Sequence, residues 1–403
     1  MKPQTIPQAL TAGDAPVGAA ADTMPVLVLP PEQVEAEGGA WTVRRAWPGA
    51  KGELILELLR EGTVRAARMR RGRIELWEPG RDPKLDALRP AAAHGQVISH
   101  RPGKRAVVRS ADGSRYIKVV RPGRAPGILR GIGRARAFEG RFRMPRVLAG
   151  DDATVVFEAL TGRSMHEPCA FTPAEWYRAW AEVLGAWEEV VRAVPGPGAP
   201  AGDLEGVFPA RNSAGGTGAG NPVQPVDVPV HGPAEEAAVL RRWTALAAPV
   251  VAGGDGQSAA GADGPEAGWR RFEAAVERTV HRLLQLPVHR WAPAHRDLHD
   301  KQLLWDPELG PGLLDVDTAC LADPALDLAN LRAHALWRRR QGLWTAEDAD
   351  VVLAQVDTTA ARLGVLPGAL AVYQEATLLR LGCVYAFRPA WAGPAAELRA
   401  ELS

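Results

Sequence analysis

The sequence is poor in cysteine, with three such residues among 403. Cys169, Cys320 and Cys383 are far apart and odd in number, so no disulfide framework or redox motif is expected, and a reducing compartment is favoured. No apolar run reaches the length of about 18 residues that a membrane-spanning helix needs. The formal net charge of +1 gives no general argument for binding to nucleic acid or to an anionic membrane.

The start of the sequence lacks the pattern of a secretory signal, because only Lys2 precedes a mixed stretch without an apolar core and cleavage site. A cytoplasmic protein is therefore expected. Lysine is rare, since most of the 48 basic residues are arginine. The lysines are Lys2, Lys51, Lys84, Lys104, Lys118 and Lys301. A lysine inside an apolar strand of such a chain needs a specific reason.

Against this background, one stretch carries recognisable chemistry. Residues 294–304 read Ala-His-Arg-Asp-Leu-His-Asp-Lys-Gln-Leu-Leu, and a later apolar run ends at Asp315. Asp297 can accept a proton from a hydroxyl group, Gln302 offers an amide oxygen, and Asp315 offers a carboxylate. Oxygen ligands of this kind suit Mg²⁺. A base followed by two metal ligands is the order that phosphoryl transfer needs.

This pattern resembles the aminoglycoside phosphotransferase and choline kinase family. His295 and Asp297 match the start of the family's His-x-Asp-x-x-x-x-Asn loop, and Gln302 stands in the place of the Asn. Asp315 matches the family's metal-binding Asp. Residues 323–329 match its Asp-Pro-x-x-Asp-Leu-Ala helix start. Glutamine in the Asn place is also similar to maltose kinases of the same superfamily. His-x-Asp alone is typical of a capped turn, but the combined set rarely arises by chance.

The resemblance implies an α+β fold of the bilobal, protein-kinase-like kind, with a β-rich N-terminal lobe and a mostly helical C-terminal lobe. It implies ATP as the phosphoryl donor and Asp297 as the catalytic residue. Mg²⁺ would be bound by Gln302 and Asp315, with Asp317 as an accessory ligand. The expected partner is a small-molecule hydroxyl acceptor, without nucleic acid or membrane.

Composition suggests the order of the domains. We expect disorder in residues 1–22, a β-rich N-terminal cap in 23–93, a nucleotide-binding lobe in 94–160, and a helical lobe in 161–403 with flexible insertions at about 195–230 and 252–265. Short strand-like runs split by glycines predict an antiparallel meander in the cap. Maltose kinases are similar in carrying such a cap, but a plain extension of the scaffold explains it equally well.

Lys118 lies in the middle of the third predicted strand of the nucleotide lobe. The resemblance implies that it contacts the α- and β-phosphates of ATP, whereas the structural alternative is an edge-strand lysine that blocks aggregation. No Gly-x-Gly-x-x-Gly motif precedes it, and the turn at 101–105 is a candidate to donate backbone N–H groups to phosphate. If Lys118 pairs with a carboxylate on the following helix, Glu139 is the candidate, because it is the only acid between residues 121 and 150.

Residues 154–162 predict a buried strand that runs into a linker. The resemblance implies that this linker is the hinge, where backbone groups near Glu158 and Leu160 would meet adenine. In the helical lobe, Thr172 begins a capping box, and the tryptophans that follow at helical spacing predict a core face. Asp327 is expected to be structural, accepting loop N–H groups. His295 and His299 are expected to brace the loop and not to bind metal, since no zinc-ligand spacing surrounds them.

Only five residues, 318–322, separate Asp317 from Asp323, too few for the activation segment of a protein kinase. The last lobe has no acidic excess, which favours a sugar or similar metabolite as acceptor over a polycationic aminoglycoside. The alternatives are an aminoglycoside phosphotransferase, a catalytically weak pseudokinase-like module that binds nucleotide, and a nucleic-acid binder that uses the arginines of 121–146. Those arginines also fit a solvated helix face.

Overall fold

The computed structural model describes residues 29–49, 52–194, 228–252 and 264–403. The expected disordered segment at 1–22 and most of the insertions expected at 195–230 and 252–265 lie outside the described residues. Within the described part, every helix is too short or too polar to cross a membrane.

The described part of the chain begins with a five-stranded antiparallel meander, as the glycine spacing predicts. Its strands pair in chain order: β1 (Gln33–Ala36), β2 (Gly39–Pro48), β3 (Leu54–Arg60), β4 (Thr63–Arg70) and β5 (Arg73–Leu76). Three hairpins turn through two residues with positive φ, at Glu37-Gly38, Glu61-Gly62 and Arg71-Gly72. Such turns match the twist of the strands, and glycine at the second position lowers their cost.

A second sheet follows, with the strand order β6-β7-β8-β10-β9. Its elements are α1 (Leu88–Ala93), β6 (Gly95–Arg101), β7 (Arg105–Ser110), β8 (Arg115–Val120), α2 (Ala125–Arg134), β9 (Val147–Gly150) and β10 (Thr154–Glu158). Ala106, Val108 and Val119 cover one face and pack with Leu85 and Leu88 of the α1 region. Because side chains alternate along a strand, Lys118 lies on the opposite face.

The rest of the chain is mainly helical. Its elements are β11 (Arg163–Ser164), α3 (Pro173–Arg192), α4 (Pro233–Val251), α5 (Gly264–Leu284), β12 (Ala292–Ala294), β13 (Leu303–Asp306), β14 (Gly310–Leu313), β15 (Cys320–Ala322), α6 (Pro324–Arg340), α7 (Ala346–Leu363), α8 (Pro367–Tyr385) and α9 (Ala392–Glu401). The expected α+β, bilobal fold is confirmed. The final helix α9 was not predicted from the sequence, because its small residues give little periodicity.

Two local predictions in this lobe are confirmed. The hydroxyl of Thr172 accepts the N–H of Glu175, whose side chain accepts the N–H of Thr172, so α3 begins with a capping box. Trp176, Trp180 and Trp187 of α3 are buried in the core. Large aromatic side chains of this kind supply much of the apolar area that such a lobe buries.

The first sheet contacts both lobes. The N–H of Ala46 donates to the carbonyl oxygen of Phe387 at 2.9 Å, and Arg388 donates back to the carbonyl oxygen of Ala46 at 2.9 Å. Towards the second sheet, the fully buried carboxylate of Glu57 accepts the N–H of His100 at 2.6 Å. The sequence analysis did not predict these long-range contacts.

Candidate active site

The loop that carries Asp297 is held by a buried carboxylate on α6. Asp327 accepts the N–H groups of His295 at 2.7 Å and Arg296 at 2.8 Å, while Asn330 donates to the carbonyl oxygen of Arg296 at 3.1 Å. Arg296 has a φ of 73°, in the left-handed region that non-glycine residues rarely adopt. Asp327 is fully buried, so its predicted structural role is confirmed. The bonds stabilise a strained turn beside the expected catalytic residue.

His295 joins this loop to the segment that follows β14. Its Nε2 contacts the carbonyl oxygen of Leu314 at 2.9 Å, and its own carbonyl oxygen accepts the hydroxyl of Thr318 at 3.0 Å. The prediction that His295 braces the loop is therefore confirmed. These bonds fix the position of the Asp297 loop relative to residues 314–318.

The pairing of β13 with β14 brings Gln302 next to Asp315. Leu303 pairs with Leu313, and one residue further out the N–H of Leu314 donates to the carbonyl oxygen of Gln302 at 2.8 Å. Asp315 then has a φ of 55°, which turns the chain sharply into a short 3₁₀ turn over Val316–Thr318. The two residues expected to bind metal are thus neighbours in space as well as in motif.

Lys118 reaches across the cleft to this segment. Its Nζ lies 3.1 Å from Asp315 Oδ1 and 2.6 Å from Asp317 Oδ2. Burial lowers the pKa of Lys118, but the two carboxylates raise it more, so the net shift is upward and the ammonium stays charged. The alternative interpretation as an edge-strand lysine is wrong, because β8 lies between β7 and β10.

The donor set fits a divalent cation. Asp315 and Asp317 both place a carboxylate oxygen within hydrogen-bonding distance of the Lys118 ammonium. Their oxygens therefore converge on one positively charged group. Gln302 lies beside them through its backbone bond to Leu314. Hard oxygen donors of this type, few in number, are what Mg²⁺ takes from a protein when phosphates and water complete its shell.

The structure does not bring Glu139 to Lys118, so this expected pairing is wrong. Glu139 is exposed and follows a 3₁₀ turn that extends beyond α2. Helix α2 itself has no acidic residue, and the carboxylates at the Lys118 ammonium come from Asp315 and Asp317. Spacing along the sequence could not reveal this, because Asp315 lies 197 residues beyond Lys118.

Helix α2 instead packs directly against the backbone of the metal-binding segment. A Cβ atom on Gly131 would lie 2.1 Å from the carbonyl oxygen of Asp317, so only glycine allows this approach. Three residues on, Arg134 donates to the carbonyl oxygen of Ala319 at 3.0 Å. The helix therefore supports Asp317 by close backbone packing.

The expected adenine hinge follows β10. The N–H of Glu158 donates to the carbonyl oxygen of Arg146 at 2.9 Å, and the N–H of Ala159 donates to the carbonyl oxygen of Ser114 at 2.8 Å. The side chain of Glu158 forms a separate ion pair with the side chain of Arg146 at the surface. In the described part of the chain, no hydrogen bond uses the N–H of Leu160. A backbone donor at Leu160 thus suits the expected contact with adenine, which stays a prediction.

The turn between β6 and β7 does not offer the backbone donors for which it was a candidate. The carboxylate of Asp82 accepts the N–H of Gly103 at 2.6 Å and contacts His100 Nε2 at 2.9 Å. The next N–H, that of Lys104, donates to the carbonyl oxygen of Arg101 at 3.0 Å and closes the turn. Both N–H groups are already satisfied, so the hypothesis that they bind phosphate is wrong.

Comparison with known proteins identifies the family of this chain. A family model described as the phosphotransferase enzyme family matches residues 97–363, about two thirds of the chain, including Lys118, Asp297 and Asp315. The chain belongs to this family. It is an ATP-dependent phosphotransferase, as the motif resemblance predicts. The first sheet lies outside the matched residues. A comparison with curated proteins finds no match.

Solved structures are similar at low identity. Aminoglycoside phosphotransferase APH(3'')-Id from Streptomyces rimosus is 18% identical, with a TM-score of 0.43 over 75% of this chain and 96% of that chain. A glucosamine kinase is 16% identical, with a TM-score of 0.42 over 94% and 97%. A choline/ethanolamine kinase family protein from Mesorhizobium loti is 14% identical, with a TM-score of 0.42 over 78% and 90%.

The phosphotransferase also has a buried ionic network beside the catalytic loop that the sequence analysis missed. Asp300 contacts His166 Nδ1 at 2.5 Å and accepts two bonds from Arg338, at 2.9 and 3.1 Å. Burial raises the pKa of Asp300, but Arg338, His166 and His299 together lower it more, and the net pKa is well below its usual range. The network fixes the loop three residues after Asp297.

His299 and His334 join this network, and the three groups His299, Asp300 and His334 lie close enough to suggest a metal site. The geometry argues against one. The two imidazole rings stack with centroids 4.5 Å apart and an angle of 15°, and both oxygens of Asp300 are used by Arg338. Burial lowers the pKa of both histidines. They pack as neutral rings beside the phosphotransferase loop, in line with the expectation for His299.

Replacing Glu139 by glutamine should change kcat/KM for ATP by less than about twofold, because an exposed side chain away from Lys118 contributes little. Steady-state phosphotransferase assays at varied ATP test this. Lys118→Gln is the positive control and should lower kcat/KM by about 10-fold or more, since it removes a charged contact to two carboxylates. A similar loss in Glu139→Gln would show that Glu139 reaches the ammonium during turnover.

Proposed function

We propose that this phosphotransferase transfers the γ-phosphoryl group of ATP to a hydroxyl group of a sugar or a similar small metabolite. The observation that carries the proposal is the braced loop of Asp297, bonded through His295 to the segment where Lys118 meets Asp315 and Asp317. A base, a phosphate-binding cation and a pair of metal-binding carboxylates are thereby held in one cleft.

In this proposal each side chain has one task. Asp297 orients the acceptor hydroxyl and takes its proton as the oxygen attacks the γ-phosphorus in line with the leaving ADP. Lys118 contacts the α- and β-phosphates. Mg²⁺, held by Gln302, Asp315 and Asp317, would neutralise charge on the phosphates. Most of the rate enhancement then comes from positioning and charge compensation.

The charges of the helical lobe favour a sugar over a polycationic acceptor. A polycation needs several carboxylates that are not already paired. Here Glu375 accepts the hydroxyl of Thr279 at 2.8 Å and pairs with Arg282, while Asp357 pairs with Arg332. Two buried carboxylates, one on α4 and one in the catalytic loop, are engaged as well. Those are Glu236, with His231 and Arg380, and Asp300, with His166 and Arg338.

The test is ADP release with Mg-ATP over a panel of neutral sugars, amino alcohols and aminoglycosides. We expect turnover with one class of sugar, and a loss of about 100- to 10,000-fold in kcat in Asp297→Asn, as for other positioned general bases. The matched control is Asp350→Asn, which changes an exposed carboxylate on α7 and should keep full activity.

Three outcomes would contradict parts of the proposal. Turnover with aminoglycosides alone would establish antibiotic modification instead. Normal turnover in Asp297→Asn would remove the assigned base. Binding of Mg-ATP without acceptor-dependent ADP release across the panel would favour the pseudokinase-like alternative.

A further inference from the structure

Two arginines share the face of the second sheet that carries Lys118. Val107 of β7 pairs with Lys118 of β8, and two residues earlier Arg105 points to the same side. On β6, Ser99 pairs with Val107 and Arg101 pairs with Arg105. Residues directly opposite each other in an antiparallel pair project to one face, so Lys118, Arg105 and Arg101 form a row of cations over the cleft.

The two arginines stand directly opposite each other, on either side of the turn at residues 102–104. Like charges in this arrangement destabilise a sheet. In the part of the chain that the structure describes, no carboxylate pairs with Arg101 or Arg105, and both are half-buried. Two cations held together without a counter-charge, in a cleft that receives a nucleotide, indicate an anion-binding position.

The cap side of the cleft orients one of them. The guanidinium of Arg101 lies over the ring of Trp47, 5.1 Å from its centroid, so its plane is held by stacking rather than by an acid. Burial, together with the charges of Arg105 and Arg242, lowers the pKa of Arg101 to about 10. The side chain stays protonated at neutral pH despite its cationic neighbours.

The backbone N–H groups of the turn between the arginines already donate hydrogen bonds within the protein. Asp82 takes the N–H of Gly103, and the N–H of Lys104 closes the turn on Arg101. A glycine-rich loop binds phosphate through such N–H groups, which this turn has already committed. What the turn places on the face of the sheet that carries Lys118 is the pair of arginines at its two ends.

We propose that Arg101 and Arg105 bind the β- and γ-phosphates of ATP through their side chains, in the place of the backbone N–H groups of a glycine-rich loop. A guanidinium donates two parallel hydrogen bonds to a phosphate and carries a full charge, so two of them replace several amide donors. The inference rests on the proposed function for the identity of the nucleotide, and it needs no acceptor to be tested.

The experiment measures nucleotide binding by titration calorimetry in Arg101→Gln and Arg105→Gln. The probes are Mg²⁺ with the imido analogue of ATP, Mg-ADP, and adenosine, which lacks phosphate. We expect each variant to bind the imido analogue about 10- to 100-fold more weakly, with adenosine unchanged within about twofold. Arg109→Gln is the matched control, because Arg109 lies on the same strand and face but is exposed at its far end.

Unchanged affinity for the imido analogue in variants that melt like the original chain would overturn the inference. A measurement on the unaltered protein covers the case in which a variant fails to fold. Phenylglyoxal modifies accessible arginines, and peptide mass spectrometry identifies them. We expect the imido analogue with Mg²⁺ to protect Arg101 and Arg105 while adenosine does not, and a lack of protection would also overturn the inference.

These outcomes are separable from a failure of the proposed function. The binding assays use no acceptor, so an acceptor panel without turnover leaves them intact. Conversely, a sugar kinase whose affinity for the imido analogue ignores both arginines keeps its function and loses only this inference.

Discussion

Replacing Asp315 by alanine should abolish measurable turnover, lowering kcat by about 1,000-fold or more. The carboxylate is an expected ligand of Mg²⁺, and charge stabilisation by a metal ion contributes several kcal/mol to phosphoryl transfer, with about 1.4 kcal/mol for each factor of ten. The substitution also removes one of the two carboxylates at the Lys118 ammonium. The affinity for Mg-ATP should therefore fall together with kcat.

Two measurements check this result. Single-turnover ADP formation reports the chemical step, and calorimetry with the imido analogue at varied Mg²⁺ reports binding. Adenosine binding should stay unchanged, because adenosine carries no phosphate that Mg²⁺ at Asp315 could bind. Asp306→Ala is a suitable control, because Asp306 lies half-buried at the end of β13 and accepts the local N–H groups of Glu308 and Leu309. Normal activity in Asp315→Ala would exclude it as a metal ligand.

Asp327→Ala should have the second large effect, on stability as well as on rate. The change removes the acceptor of two buried N–H groups, those of His295 and Arg296. A buried donor that loses its acceptor costs about 1–3 kcal/mol, so the loss at two donors should lower the free energy of unfolding by about 2–6 kcal/mol. The left-handed turn at Arg296 should relax as well, and the remaining folded protein should be inactive.

Urea unfolding at equilibrium measures the stability, and ADP release measures the rate. Asp327→Asn separates the two roles, because an amide keeps one acceptor but presents N–H groups to a second donor. It should lie between the alanine variant and the original chain in both assays. If Asp327→Ala unfolded at the original urea concentration, Asp327 would not brace the loop.

The catalytic loop could be predicted because its functional residues lie close together in the sequence. Asp297, Gln302 and Asp315 lie within 19 residues, and β13 and β14 form a hairpin that keeps neighbours in sequence close in space. The structural role of Asp327 could be predicted as well, since a carboxylate near a helix start has few other roles. The roles of these side chains in catalysis, like the domain boundaries, stay predictions.

The Glu139 interpretation failed for a physical reason. It assumed that the helix after β8 presents an acid to Lys118, but α2 packs so closely at Gly131 that the 3₁₀ segment of Asp317 takes that place. Sequence separation gives no sign of such packing. The Asp300 network was missed on the same ground, because His166 and Arg338 come from 134 and 38 residues away.

The contacts of the first sheet constrain how the cleft can open. In a two-lobed kinase whose lobes are joined only at the hinge, one lobe can rotate about the hinge relative to the other. Here β2 is hydrogen-bonded to the helical lobe at Phe387 and β3 to the nucleotide lobe at His100, so the first sheet connects the two lobes in addition to the hinge. The cleft can then open only if the first sheet bends or one of these contacts breaks. The speed of nucleotide exchange should therefore follow the stiffness of the first sheet more than the hinge.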